Sequence, residues 1–380
     1  MKKRLGDYIK EYSVRNKENQ DIPVYSVTNT EGFCQDYFGK EVASKDKSTY
    51  KIVPQGYFAY NPSRINVGSV DWQRTQERVI VSPLYNVFSV SDKLDQQYLY
   101  YYLKSDFALQ RIKAVATGSV RDNLKLKMLY EFPINIPELS SQKNIVELLD
   151  KIKKIEGLKK AELDYFDTLV KARFVEMFEK ESDQWHHKKL VECCDNKNDI
   201  KCGPFGSQLH VEDYQNIGVP VYGIPEVNSG FKSNPKLYIS QQKAEELSAY
   251  SLIDGDVAVS RKGNVGQAAL FYDSLKNGII HSDVLRVRLN KQIMDPFFLI
   301  GELHFSQSIR NQVKQASNGA IMPGINVTKL KQIVVDIPPL AIQKEFSGFI
   351  QQVEKSKVAI QKSLDETQIL FQSLMQKYFG

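Results

Sequence analysis

The stretch FPINIPELSSQKNIVELLDKIKKI, residues 132–155, decides how this chain is read, because it occurs twice. IVVDIPPLAIQKEFSGFIQQVEKS, residues 333–356, lies over it at an offset of 201. Ile136-Pro137 meets Ile337-Pro338, Leu139 meets Leu340, and Gln142-Lys143 meets Gln343-Lys344. The same offset runs without a gap from Thr117 to Phe178, with 12 of 62 positions identical and most apolar positions kept apolar. Two unrelated helices can share leucines, but a shared Ile-Pro-x-Leu-x-x-Gln-Lys lead-in marks an internal repeat.

The repeat extends upstream with small slips. IPVYSVTNTEGF (22–33) matches VPVYGIPEVNSGF (219–231), GYFAYNPSRINVG (56–68) matches GDVAVSRKGNVG (255–266), and DQQYLYYYL (95–103) matches DPFFLIGEL (295–303). The chain therefore reads as domain, helix, domain, helix with a period of about 200 residues. Runs such as ERVIVSPLYNVFSV (77–90) and HSDVLRVRL (281–289) predict strands from their Val, Ile and aromatic content. Helices are expected over Gln96–Val115 and Phe297–Gln315. The tyrosine run in the first of these could form a base-stacking platform. Its counterpart keeps the apolar positions and drops the hydroxyls, so core packing is the better reading.

After each Ile-Pro the period changes. Ile145, Leu148, Leu149, Ile152, Ile155, Leu158, Leu163, Phe166, Leu169, Val170, Phe174 and Met177 keep three- and four-residue spacing for about ten turns. Pro137 ends a strand, and Ser140 or Ser141 is the expected N-cap. A second such helix is expected from Ile342 to Phe379. Neither can bury its stripe alone, and each is the other's obvious partner. Antiparallel pairing would put the domains at opposite ends, as in dimers that read two half-sites on one duplex.

Composition sets the outer limits. Hydrophobic residues make up 42% and charged residues 25% of the 380, typical of a soluble globular chain of two or three domains. No long apolar segment occurs, and MKKRLGDYIKEY lacks the apolar stretch of a signal peptide, so a cytoplasmic protein with no membrane partner is expected. The four cysteines form no C-x-x-C pair and read as reduced thiols, with no metal site expected. The net charge of +6 permits a nucleic-acid partner. Most of the surplus lies in residues 1–140, with 20 basic and 16 acidic side chains.

YNPSRINVG (60–68) poses the enzyme question, since Asn-Pro beside an aromatic is how adenine methyltransferases grip an extruded base. Ser63-Arg64 follows where a second aromatic is needed, and no strand leads into a glycine loop for S-adenosylmethionine. The counterpart, AVSRKGNVG (258–266), has no Asn-Pro at all, yet keeps a cation and Asn-Val-Gly. What is shared is a small, basic, hairpin-like turn, which suits DNA. Arg64, Arg261 and Lys262 can pair with phosphate or guanine, and Asn66 and Asn264 with adenine edges. Asn61, Ser63 and Ser260 sit beside them, and Gly68 permits close backbone approach. For the asparagines a turn that holds its own backbone is an equal alternative. In KCGPFGSQL (201–209), Gly203, Gly206 and Ser207 could form a phosphate nest, with Lys201 nearby and Gln208 reaching a base; a tight turn anchored by Phe205 competes. Thr117, Ser119 and Arg121 form a further polar turn before the first long helix. No phosphate-loop, G-x-S-x-G or H-E-x-x-H motif occurs.

The tandem layout, YNPSRINVG, KCGPFGSQL, the Thr-Gly-Ser-Val-Arg turn and both Ile-Pro-x-Leu-x-x-Gln-Lys lead-ins together resemble the specificity subunit of a type I restriction–modification system over essentially the whole chain. The resemblance implies two target-recognition domains that each read half of a bipartite asymmetric site. It implies a spacer coiled coil that docks two methyltransferase subunits, and a separate motor–nuclease subunit. Catalysis, S-adenosylmethionine and ATP would belong to those partners, with no cofactor on this chain. KCGPFGSQL departs from the pattern in having no clear match in the first repeat. The fold reading is α+β: mixed α/β domains at 1–138 and 181–338, each followed by a long helix, 139–180 and 339–380, the helices pairing as an antiparallel coiled coil with pseudo-two-fold symmetry. The alternative function is a coiled-coil scaffold whose globular domains bind protein or RNA.

Overall fold

The computed structural model describes residues 2–35, 46–116, 123–317 and 324–380. In chain order, the first domain holds strands β1 (Ile9–Glu11), β2 (Phe58–Tyr60), β3 (Val70–Trp72) and β4 (Asn86–Val90), then helices α1 (Gln96–Lys104) and α2 (Asp106–Ala116). The long helix α3 (Leu139–Met177) follows. The second domain repeats the series with β5 (Ile200–Cys202), β6 (Val257–Ser260), β7 (Ala268–Leu270), β8 (Val284–Val287), α4 (Pro296–Phe305) and α5 (Gln307–Ser317), and α6 (Leu340–Phe379) ends the chain.

Both domains build the same antiparallel four-stranded sheet, in order β1-β4-β2-β3 and β5-β8-β6-β7. In the first, Ile9 faces Val90, and Phe58 faces Phe88 and Trp72. In the second, Ile200 faces Val287, and Val257 faces Val287 and Leu270. KCGPFGSQL, which had no visible counterpart in sequence, thus begins on a strand equivalent to β1. The strand before each long helix pairs with a short strand that precedes its domain's four-stranded sheet in the chain: Pro133–Ile134 with Lys3–Arg4, before β1, and Val334–Ile337 with His186–Lys189, before β5.

The chain divides into two compact units, residues 1–161 with 361–380 and residues 162–360. Each unit contains part of both long helices. In the first, α3 and α6 run antiparallel: Glu156 meets Gln368 at 3.3 Å, and the Lys159 ammonium donates to the Ser363 and Thr367 hydroxyls at 2.6 and 2.8 Å. In the second, Lys357 meets Asp167 at 2.7 Å and Arg173 meets Glu345 at 2.8 Å, again antiparallel. The pairs 156/368 and 167/357 are images of each other across the repeat. Apolar seam positions surround these polar ones; Leu149, Ile152, Val353 and Leu364 are all buried. Glu156 is nearly buried too, and Lys160 and Lys153 hold its carboxyl down to about 2. Polar residues on an apolar seam lower stability but fix orientation and register.

The helix ends are plugged into the domains by aromatics. Phe379 packs on Tyr98 at 5.0 Å between centroids, and Phe178 packs on Phe298 at 4.7 Å. The tyrosine run is core: Tyr98, Tyr101 and Tyr102 are buried. Their hydroxyls donate to the Asn135 carbonyl, the Asp150 carboxylate and the Pro133 carbonyl.

The glutamines shared by the two repeats explain the repeated lead-in. Gln142 is fully buried; its oxygen accepts from the Asp95 amide at 2.9 Å, and its nitrogen donates to the Lys93 and Pro137 carbonyls at 3.0 and 2.8 Å. Gln343, also fully buried, makes the same three bonds to Asp295, Ile293 and Pro338 at 2.8, 3.2 and 2.8 Å. Asp95 and Asp295 in turn N-cap α1 and α4. The long helices are thereby bolted to the domain helices, and they start at Leu139 and Leu340, ahead of the expected N-caps Ser140 or Ser141 and of the expected first residue Ile342. Ser140 and Ser141 fall inside the first turn. The single helices expected at 96–115 and 297–315 are each broken. Ser105 and Ser306 take extended backbone, and their hydroxyls accept from the Ala108 and Ile309 amides, so each serine starts a second helix.

Glu302 on α4 is one of several buried charged side chains. Only 1% exposed, it accepts from the Asp336 amide at 3.5 Å, and burial followed by the Asp336 carboxylate pushes its carboxyl up to about 8. The unfolded chain releases this proton near the ordinary carboxylate range, but the folded chain keeps it until about pH 8. Its stability contribution is therefore full below the ordinary range and is lost as pH rises through about 8. Glu302→Gln is expected to raise the melting temperature at pH 8 more than at pH 5, by about 2–4 °C per kcal/mol recovered. Thermal melts at the two pH values check this; an equal or lower value at pH 8 contradicts it.

Candidate nucleic-acid interface

The two loops singled out by sequence occupy equivalent places, joining β2 to β3 and β6 to β7. Each closes on a buried glycine with φ of +88°, Gly68 and Gly266, a left-handed conformation in which side chains are strained. The shared Asn-Val-Gly is thus explained at its glycine by backbone geometry.

In the first loop, the Asn61 side chain accepts from the Ser63 amide at 3.0 Å, and the Ser63 hydroxyl donates to Asn123. The Pro62 carbonyl accepts from the Leu124 amide at 3.1 Å. The Asn61 side-chain oxygen and the Pro62 carbonyl are therefore spent on shaping the turn. Ile65 is fully buried and anchors the loop, while Arg64 is exposed and makes no side-chain hydrogen bond or ion pair among the described residues. Asn66 is half-buried and likewise has no side-chain partner among them. Asn61 and Arg64 line a polar cleft of about 210 Å³ with Thr28, Asn29, Ser69 and Tyr85.

The second loop holds its cations differently. Ser260 is fully buried and donates to Asn228 at 3.0 Å. The Arg261 guanidinium lies 3.2 Å from the Cys202 sulfur and from the Ser282 carbonyl, and 5.7 Å over the Phe205 ring. It is a strut between the loop and KCGPFGSQL. Lys262 is 44% exposed but ion-paired with Asp283 at 2.8 Å, so its charge is already partnered. Asn264 and Gly263 form the exposed tip.

KCGPFGSQL itself is largely committed. A Cβ on Gly203 would fall 2.3 Å from the His281 carbonyl oxygen, so close packing demands this glycine. Lys201 lies 5.3 Å over the Tyr250 ring, and Gln208 accepts from the Tyr250 hydroxyl at 2.8 Å. Gly206 and Ser207 are exposed, and a Cβ on Gly206 would meet nothing. Phe205 is 54% exposed and serves as the platform for Arg261. Thr117, Ser119 and Arg121 lie outside the described residues.

A family model described as type I restriction modification DNA specificity domain matches residues 3–165 and 183–368. The chain belongs to this family. It is 28% identical over 170 residues to a putative type I restriction enzyme MjaX specificity subunit of Methanocaldococcus jannaschii, covering 43% of this chain and 39% of that one. It is 24% identical over 310 residues to the EcoKI specificity subunit of Escherichia coli K12, covering 74% and 64%. The chain thus spans less than two thirds of the length of either relative. Among solved structures, one from a study of complex assembly and conformational transition of the type I R-M system aligns over all of this chain and 97% of its own. Its TM-score is 0.64 at 17% identity. A type I restriction–modification S subunit from M. genitalium gives 0.57 at 15%, covering 100% and 96%. These likenesses show a shared fold. No described helix is long and apolar enough to cross a membrane.

Two residues at the loop stems escaped sequence reading. Lys104, at the end of α1, donates to the Gly68 and Asn29 carbonyls. His304, near the end of α4, accepts from the Ala268 amide at 2.9 Å. They align across the repeat, but their types differ, so no shared motif exposed them. Asp283, 21 residues from its partner Lys262, left no local signal either.

The contrast between the two loops is measurable without any ligand. Arg64→Ala is expected to leave stability within about 0.5 kcal/mol of the parent, as for an unpartnered surface side chain. Arg261→Ala is expected to lower it by about 1–3 kcal/mol, since it strips the sulfur, carbonyl and ring of their partner. Urea melts of the two variants check this; equal losses contradict it.

Proposed function

We propose that this chain is a DNA-recognition subunit without catalysis of its own, reading a bipartite asymmetric duplex site with one half-site per domain. The observation that carries the reading is the repeated hairpin: two domains of one sheet order present a basic, glycine-closed loop from the same strand pair. Phosphate contacts fix register and base-edge contacts specify sequence. Arg64, with its charge uncommitted, the half-buried Asn66, the ion-paired Lys262, and Asn264 at the exposed tip of the second loop are the groups assigned to DNA. Asn61, Ser63, Gly68, Lys201, Gly203, Gln208, Ser260 and Arg261 shape the loops, and Gly206 and Ser207 are available for a phosphate.

The two domains differ in how their cations are held, which suits two different half-sites. Arg64 is ready as it stands. Lys262 must leave Asp283 or share it, so its contribution is smaller and more sensitive to salt.

Positioning of methyltransferase and restriction subunits belongs to the same proposal. Leu148, Ile155, Leu158, Ile369 and Leu370 in the first unit, and Tyr165 and Val358 in the second, expose 38–65% of their surface on the long helices. Apolar residues left uncovered on a helix pair suit a protein partner. S-adenosylmethionine and ATP reside on those partners.

The test is co-expression with a methyltransferase subunit of such a system, followed by sequencing of methylated sites. Replacing residues 185–330 by the equivalent domain of another family member is expected to change one half-site and leave the other intact. Change of both half-sites, or methyl transfer by the isolated chain, contradicts the reading. In the same complex, Arg64→Ala is expected to weaken duplex binding about tenfold and to flatten its salt dependence by roughly one unit of slope. Unaltered affinity and slope remove Arg64 from the interface.

A further inference from the structure

The loop stems are held by a device that the loops themselves do not reveal. Lys104 sits 200 positions before His304, the same offset that separates the N-caps Asp95 and Asp295. Each residue lies at the C-terminal end of the helix that follows the recognition hairpin. Each reaches back to the strand-side stem of its own hairpin. The Lys104 ammonium, half-buried and 5.5 Å over the Tyr100 ring, donates to the carbonyl of Gly68, the residue with φ of +88°, and to the Asn29 carbonyl at 3.0 Å. The His304 Nε2 accepts from the Ala268 amide, two residues after Gly266, at 2.9 Å.

The two contacts have opposite hydrogen-bond sense. One needs a donor for a carbonyl, the other an acceptor for an amide, and neither residue can replace the other. Burial lowers the Lys104 pKa and brings His304 down to about 4, so the imidazole is neutral and free to accept. Both side chains also complete a physical line. The long helix is bolted by its glutamine to the N-cap of the domain helix, and the far end of that helix grips the recognition loop.

Resting on the DNA reading above, we infer that Lys104 and His304 are positioning residues for base readout, each governing the half-site of its own domain. They touch no base. They hold the stem so that Arg64 and Asn66, or Lys262 and Asn264, meet the groove at a fixed height. A base contact depends on sub-ångström placement, so a loosened stem degrades discrimination more than overall binding.

The experiment uses the full chain in complex with its methyltransferase partner, acting on a duplex library randomised around the preferred site. Lys104→Met is expected to reduce discrimination against single-base changes in the first half-site by about tenfold and leave the second half-site unaltered, in a protein that still folds and melts only a few degrees (about 2–8 °C) below the parent. Lys104→Arg, which keeps a cationic donor, restores most of the loss. His304→Phe is expected to do the same to the second half-site alone, with rescue by His304→Gln, which keeps an acceptor. Unchanged discrimination, equal loosening of both half-sites, or a uniform fall in methylation with discrimination intact overturns the inference. So does a Lys104→Met protein that fails to fold, since that makes Lys104 a core residue. A parent protein with no bipartite preference overturns the DNA reading instead, which separates the two failures.

Discussion

A buried glutamine at the start of each long helix is the contact on which the rest of the architecture hangs. A glutamine amide offers two donors and an acceptor, and Gln142 and Gln343 spend them on one amide and two carbonyls in otherwise closed surroundings. Those backbone groups belong to the turn that caps the domain helix and to the Pro just before the long helix. One side chain therefore sets the angle between strand, domain helix and long helix. Its removal would leave three part-buried backbone groups without this partner, at a cost of up to about 1–3 kcal/mol each. A leucine of similar size fills the space and satisfies none of them.

From that joint, order propagates in two directions. Along the long helices, packing buries Leu149, Ile152, Val353 and Leu364 but leaves Leu148, Ile155 and Leu158 of the apolar stripe exposed, while Glu156, Lys159 and Lys357 lie on the seam and find polar partners in the observed register. A slip by one turn would set these charges against apolar neighbours. Along the domain helix, order reaches the serine that starts the second helix and then the hairpin stem. Rigid elements thus carry the loop tips, and variation is left to the tips, where Arg64 is free and Lys262 is paired.

Much of this was legible in the chain alone. The repeat, the change of period after Ile-Pro, the two long helices and the hairpin character of YNPSRINVG all rest on local patterns, and the structure has them. Gln142 and Gln343 were visible as identical residues, but their role was not, because it depends on backbone groups about fifty positions away. The breaks at Ser105 and Ser306 were hidden by apolar spacing that runs on across them. Lys104 and His304 were invisible for a sharper reason: the same structural position is met by opposite hydrogen-bonding chemistry. The DNA-contact roles given to Arg261 and Lys201 came from residue type, whereas their placement came from Cys202, Phe205 and Tyr250, side chains brought close only by the sheet.

The central claim is that two repeated hairpins read two separated stretches of one duplex. Missing-nucleoside interference on the chain bound with the proposed methyltransferase partner tests it directly, since removal of each base in turn reports whether that base is needed. The account predicts two short clusters of essential bases of different sequence, separated by bases whose loss has no effect. A single continuous cluster, or uniform indifference along the duplex, would contradict it.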